Sequence, residues 1–278
     1  MVDIDPDVKK PAAPKDAATV IVLREPFEVF MVRRHSKSGF MAGAYVFPGG
    51  KLDDADCDVA LHDHALGRSP AQCAESLGED DLERSTGLFF AAIRETFEEA
   101  GVLLAEGELP DTDRERLHSG AVTLVELARA AGLRFHLDAL VPQARWITPT
   151  VEPRRYDTRF FLARASRDVR AIHDAHETTE SAWMRPDQAL DREKAGEIQL
   201  PPPTLRTLQW LAEHGGIDAA FDAAAARKPP VVQPVFHNLD GVFTLALPGD
   251  PLHPVDEPAF EGVTRFVLEK GRWWSRKA

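Results

Sequence analysis

Three glutamates carry the strongest chemical signal in this 278-residue chain. They sit in Ile93-Arg94-Glu95-Thr96-Phe97-Glu98-Glu99-Ala100-Gly101-Val102. A helix turning 100° per residue places Glu95, Glu98 and Glu99 within about 100° of one another. Phe90, Ile93, Phe97 and Ala100 fall roughly opposite. Like charges at this spacing repel by roughly a few tenths of a kcal/mol per pair. A solvated acidic face tolerates that cost, whereas a bound divalent cation removes it. Oxygen-only ligands suit Mg²⁺ or Mn²⁺, the ions of phosphate chemistry. The pattern is either a solvated face or a cation site.

The elements around it must position those carboxylates. A helix starting near Asp81 and closed by Gly101 carries them. Upstream, Ala18–Leu23 and Val29–Arg33 read as strands joined by a turn at Arg24–Glu28. Tyr45-Val46-Phe47 runs into the turn Pro48-Gly49-Gly50. Downstream, Val122–Ala131 reads as a helix, Ala144–Thr148 and Thr158–Ala163 as strands, and Ser181–Met184 as a short strand. Helices start at Pro186 and at Pro201–Pro203, the latter running to about Glu213. Val231–Phe236 and Gly241–Leu247 read as paired strands. The expected division is a disordered leader at 1–16, a main domain at 17–213 and a C-terminal extension at 214–278 packed on it.

Composition narrows the class. Forty-four per cent hydrophobic and 28% charged residues are ordinary for a globular protein. Thirty-three Lys+Arg against 45 Asp+Glu give −12, which argues against nucleic acid or an anionic membrane as partner. The first residues lack an apolar stretch of the secretory kind, and no apolar run approaches the ~18 residues of a membrane span. Two cysteines are too few for a disulfide scaffold. A cytoplasmic protein is expected; a homodimer stays open.

Arg94-Glu95-x-x-Glu98-Glu99-x-Gly101-Val102 resembles the second half of the Nudix box, G-x5-E-x7-R-E-U-x-E-E-x-G-U, with U apolar. Phe47-Pro48-Gly49-Gly50-Lys51-Leu52-Asp53 resembles the first half. The box places its Arg fourteen residues after the second Gly; here Arg94 follows Gly50 by 44, so about 30 residues are inserted, at about 54–80. The box Glu falls on Asp56, and the U after Arg-Glu is Thr96. Further stretches are similar to a subgroup with an interrupted box, the peroxisomal coenzyme A diphosphatase-like Nudix proteins. They are residues 34–47, residues 91–104, Trp146-Ile147-Thr148-Pro149 with residues 155–161, and Leu200-Pro201-Pro202-Pro203-Thr204.

The resemblance implies an α+β Nudix fold, an α/β/α sandwich with a mixed sheet. It implies hydrolysis of a diphosphate link in a nucleotide derivative, foremost coenzyme A or acyl-coenzyme A. ADP-ribose, dinucleoside polyphosphates and nucleotide sugars are alternatives, as is a non-catalytic nucleotide-binding module. It implies Mg²⁺ or Mn²⁺ at Glu95, Glu98 and Glu99 with the Gly49 carbonyl nearby. Arg94 would pair with Glu95 and orient it. Glu98 and Glu177 are the candidate bases, with Glu180 as runner-up to Glu177. Arg34 fits the coenzyme A signature upstream of the box, although His35 and Gly39 depart from it. Arg33, Phe47, Gly50 and Arg155 complete the substrate-binding set, with Lys37, Arg145, Arg154 and Arg159 as further basic groups.

Other constellations carry less. Cys57, His62, His64 and Cys73 are zinc-ligand types in the insertion, but their spacing matches no common finger. Trp273-Trp274 reads as an anchor for the tail, with base stacking as the alternative.

Overall fold

The computed structural model describes residues 11–34, 43–166 and 178–278. The chain begins with a hairpin, β1 (Lys15–Arg24) and β2 (Glu28–Arg34). These strands pair only next to their turn, at Leu23↔Val29 and Arg24↔Glu28, and then diverge. Two short strands fill the fork: β3 (Tyr45–Val46) pairs with β2, and β4 (Gly49–Lys51) pairs with β1. The expected leader at 1–16 therefore ends too late. Lys15 and Asp16 already belong to β1, because Lys15↔Tyr156 and Asp16↔Asp157 open its parallel pairing with a later strand.

The insertion is folded rather than solvated. Two 3₁₀ turns, Asp54–Cys57 and Val59–His64, lead to β5 (Ala65–Leu66) and α1 (Pro70–Leu77). Ser69 and Gln72 form a reciprocal cap at the start of α1. Leu61 and Cys73 are fully buried against the core. The segment lacks a clear period because 3₁₀ turns eclipse side chains every third residue.

α2 (Leu82–Ala100) follows, with Asp81 accepting from the Arg84 N–H at 3.0 Å and Gly101 closing it at φ +68°. Next come β6 (Ala105–Glu106), α3 (Asp111–His118), α4 (Leu124–Ala131) and β7 (Arg134–His136). β8 (Val141–Ile147), β9 (Tyr156–Arg164) and β10 (Thr178–Met184) return to the main sheet. α5 (Pro186–Ala195), α6 (Pro202–Ala212) and α7 (Ile217–Ala225) precede β11 (Val231–Val232). The chain closes with β12 (Val235–Leu239), β13 (Val242–Ala246), β14 (Arg265–Glu269) and β15 (Arg272–Arg276).

The main sheet runs β10-β2-β1-β9-β8-β11, with β3 and β4 attached at the fork. It is mixed: β1/β9 and β8/β11 are parallel, the remaining pairs antiparallel. β5, β7 and β6 form a small second sheet, and β12 to β15 an antiparallel meander. Val231–Val232 thus joins the main sheet beside β8, while the expected C-terminal pairing is made by β12 and β13.

Both faces of the sheet are covered, so its central strands are apolar on both sides. Val20 and Val22 of β1 join α2, α4 and the insertion in one core; Ile21 and Leu23 join α6, α7 and the meander in the other. The fold is α+β, and the C-terminal segment shares the second core through Leu245, Phe260, Phe266 and Trp273.

A charge network ties the insertion to the sheet. Arg159, almost fully buried, donates to Glu79 Oε1 at 2.9 Å and Asp16 Oδ1 at 2.8 Å. Arg84 reaches Asp16 and Glu79, and Arg145 holds Asp157 with two bonds of 2.8 and 2.6 Å. Buried ions need every partner. Glu79→Gln is expected to lower stability by about 2 kcal/mol, read as a shift in a urea melt; an unchanged midpoint would contradict this role.

Candidate active site

Burial, not solvation, surrounds the acidic face. Glu95, Glu98 and Glu99 are all at most 9% exposed. The side of α2 opposite the core cluster lies under β4 and the first turn of the insertion. Arg94 organises the group. Its guanidinium holds Asp56 with two bonds of 2.9 Å, Glu95 Oε1 at 2.7 Å, Glu98 Oε2 at 3.3 Å and the Lys51 carbonyl at 2.8 Å. Arg94 pairs with Glu95 through one bond, and Asp56 takes the bidentate pairing, which suits the planar fork of arginine. Asp56 lies in the first turn of the insertion and Arg94 beyond its end, so this pair closes the interrupted box in space.

The two glycines act by close approach. The Gly49 N–H donates to Glu99 Oε2 at 2.8 Å, so the turn meets the helix through this amide. A Cβ on Gly49 would sit 2.4 Å from the Ala18 carbonyl oxygen. A Cβ on Gly50 would sit 2.3 Å from Glu95 Oε1. That contact is with the end of a flexible side chain, so Gly50→Ala should displace Glu95 and leave the fold intact. We expect at least a tenfold loss of kcat with little change in melting temperature; an unimpaired rate would show that the position of Glu95 does not matter.

Burial pushes the Glu98 carboxyl up to about 7, with Arg94 opposing the shift. Burial also raises Glu95, again against Arg94. Asp56 is raised by burial and countered by Arg94. Among the described residues, no three His, Cys, Asp or Glu side chains stand together at metal-holding distances. Arg94 bridges Glu95 and Glu98, and the Gly49 amide occupies Glu99. The donor set is oxygen-only, anionic and poor in water contact, which fits a hard divalent cation.

The carboxylates line a cleft of about 1160 Å³. It passes Phe47, Gly49 and Gly50 and runs along Tyr156, Thr158 and Phe160 of β9 to Trp146 and the Pro201–Thr204 turn.

With this geometry in place, the comparisons are decisive. The family model described as the NUDT19 Nudix domain matches residues 9–211. The chain belongs to that family. It is a Nudix hydrolase. The chain is 28% identical to acyl-coenzyme A diphosphatase NUDT19 of Xenopus laevis, over 87% of this chain and 75% of that protein. The human protein of the same name is 26% identical, over 91% and 80%. A NUDIX hydrolase crystal structure from Alicyclobacillus acidocaldarius shares 29% identity and a TM-score of 0.66, over 76% of this chain and 96% of that one.

Within this Nudix hydrolase the expected substrate residues separate. Arg34, Phe47 and Gly50 line the cleft. Arg33 does not; it pairs with Glu180 at 3.4 Å on the exposed side of β2. Arg155 is also turned away, donating to the carbonyls of Thr148 and Ala12 at 3.0 and 2.8 Å. Arg145 and Arg159 are committed to the buried network. Alternation explains this: Tyr156, Thr158 and Phe160 face the cleft, so Asp157 and Arg159 face the other side. Arg154 lines the cleft in place of its neighbour. Glu177, Lys37, His35 and Gly39 lie outside the described residues.

Sequence reasoning missed two groups beside Glu98. Arg114 donates to the Glu98 carbonyl at 2.8 Å, and His118 Nδ1 lies 3.9 Å from Glu98 Oε2. Both come from α3, beyond the box, where no spacing marks them. In the insertion, His64 is bonded to the Leu133 carbonyl, and Cys57 and Cys73 are free thiols. Trp273 is a buried anchor, as expected, yet it also lines the cleft.

Proposed function

We propose that this Nudix hydrolase cleaves the diphosphate link of coenzyme A or acyl-coenzyme A. Two things support the reading: relatives named acyl-coenzyme A diphosphatase align over most of both chains, and a long cleft extends from a buried carboxylate cluster. The carboxylate cluster carries the argument. Glu95, Glu98 and Glu99 would hold Mg²⁺ or Mn²⁺. Such a cation supplies screening of the diphosphate charge and activation of water.

The chain's own residues do the rest. Arg94 and Asp56 fix the side chains of Glu95 and Glu98. Glu98, buried in the cluster beside Arg94, is the candidate to accept a proton from water. Water oxygen bonds to one phosphorus and the bridging P–O bond breaks. The products are two phosphate monoesters, 3′,5′-ADP and (acyl)phosphopantetheine. Arg34 and Arg154, in the cleft wall, are the cations for the substrate's outer phosphates. A cytoplasmic setting fits the two free thiols, and among the described residues no helix is long and apolar enough to cross a membrane.

Initial rates on coenzyme A, acetyl-coenzyme A, ADP-ribose, NADH and diadenosine polyphosphates with Mg²⁺ test the assignment. The highest kcat/KM should fall on a coenzyme A species. Turnover confined to ADP-ribose would overturn the substrate, and none at all would leave a binding module.

The raised carboxyl gives a pH signature. Glu98 binds a proton more tightly in the folded, metal-free protein than when unfolded, so its contribution to stability is present at low pH and falls as pH rises from about 4.5 to about 7. A cation must displace that proton. Mg²⁺ should therefore bind roughly tenfold more weakly at pH 6 than at pH 8, seen as a smaller Mg²⁺-induced rise in melting temperature at the lower pH. Equal shifts at both would contradict a carboxylate of this kind at the site.

A further inference from the structure

The cleft is larger than a diphosphate needs. Its volume of about 1160 Å³ exceeds that of most small-molecule sites. Part of the cleft is walled by Trp146 of β8 and Phe160 of β9 together with Pro234, Leu245 and Trp273. The last three come from the C-terminal segment, beyond residues 9–211 matched by the family.

This wall is rigid. Leu245 and Trp273 are 6% and 5% exposed, and they share one core cluster with Trp146 and Phe160. Trp146 also stacks on Phe260 of the same segment, with centroids 6.4 Å apart. The wall has a polar peculiarity. The indole N–H groups of Trp146 and Trp273 are both buried, and neither has an acceptor among the described residues. An indole nitrogen donates only. Both nitrogens are covered, so the surface offered to the cleft is hydrocarbon and aromatic. A largely hydrocarbon arm complements that surface, and it is continuous with the diphosphate in one molecule, as the wall is continuous with the carboxylates in one cleft.

We propose that the C-terminal segment completes the subsite for the acyl-pantetheine arm, and that Leu245 and Trp273 set which acyl chains are accepted. The assignment rests on the coenzyme A reading above. It makes the meander of β12 to β15 a specificity element, not only a cover for the second core.

The test is the profile of kcat/KM over coenzyme A and its acetyl, octanoyl and palmitoyl thioesters in the full-length chain with Mg²⁺. Leu245→Ala should raise the octanoyl-to-coenzyme A ratio about tenfold, and Leu245→Phe should lower it by a similar factor, in line with the discrimination that one or two methylenes provide. Trp273→Phe replaces the indole by a smaller phenyl ring and thins the apolar wall; it should raise KM for every thioester several-fold at nearly constant kcat. Melting curves identify any variant that fails to fold, and the milder truncation Leu245→Val then replaces Leu245→Ala, with a smaller shift of the same sign. Ratios within twofold of wild type in the folded variants, with KM unchanged in Trp273→Phe, would overturn the proposal. A wild-type chain that turns over ADP-ribose but no coenzyme A species would overturn the underlying reading first, before any variant is made.

Discussion

Replacing Glu98 by Gln should lower kcat by about three orders of magnitude while leaving the protein folded. The magnitude follows from losing both a general base and a ligand charge. The folded state should survive because the amide is isosteric and still accepts from Arg94, 3.3 Å away. Burial already disfavours the charged form of this group, so removing the charge should change metal-free stability by no more than about 1 kcal/mol. Activity and stability therefore part company in this variant. Parallel measurement of kcat and of the urea midpoint makes the comparison, and a rate within a few-fold of wild type would remove Glu98 from the chemistry.

Asp56→Ala should do the reverse, with stability taking the first loss. Asp56 is 1% exposed and supplies two of the bonds that hold the Arg94 guanidinium. It also accepts from the Asp53 N–H at 3.0 Å, which shapes the turn into the insertion. Taking away one partner of a buried pair leaves the other charge uncompensated, at a cost of about 3–5 kcal/mol. Glu95 and Glu98 remain as partners for Arg94, which keeps the loss inside that range. But those carboxylates would then be drawn more firmly to the arginine and be less available to a cation. Asp56→Asn should fall between, since it keeps shape and one acceptor. Denaturant melts of the three proteins check the order. A midpoint for Asp56→Ala equal to wild type would mean that the pair does not close the box.

Much of the site is legible from local signals. α2 announces itself through Asp81 at one end, Gly101 at the other and the phenylalanines between them. The carboxylate face follows from a period of 3.6. The hairpin and the box turn follow from strand composition and glycine. What escaped depends on contacts distant in sequence. The alignment of Asp56 with the box Glu is uncertain in the sequence, because the insertion obscures which acid lies beside Arg94; only the folded path of that segment returns Asp56 to the helix. Arg155 and Arg159 match the subgroup by type, yet strand parity sends their side chains away from the cleft. The register that decides this comes from the pairing of β1 with β9. Nothing local connects Leu245 or Trp273 with Glu98, since the cleft between them exists only once the meander packs on the second core.

The buried carboxylate cluster on α2 is the centre of the account, and metal dependence tests it most directly. Coenzyme A hydrolysis should be followed by mass spectrometry in wild-type protein stripped with EDTA and then titrated with Mg²⁺. The account predicts no cleavage in the stripped enzyme and recovery on adding Mg²⁺, with 3′,5′-ADP and phosphopantetheine appearing in equal amounts. Cleavage that is indifferent to EDTA and Mg²⁺ would contradict it.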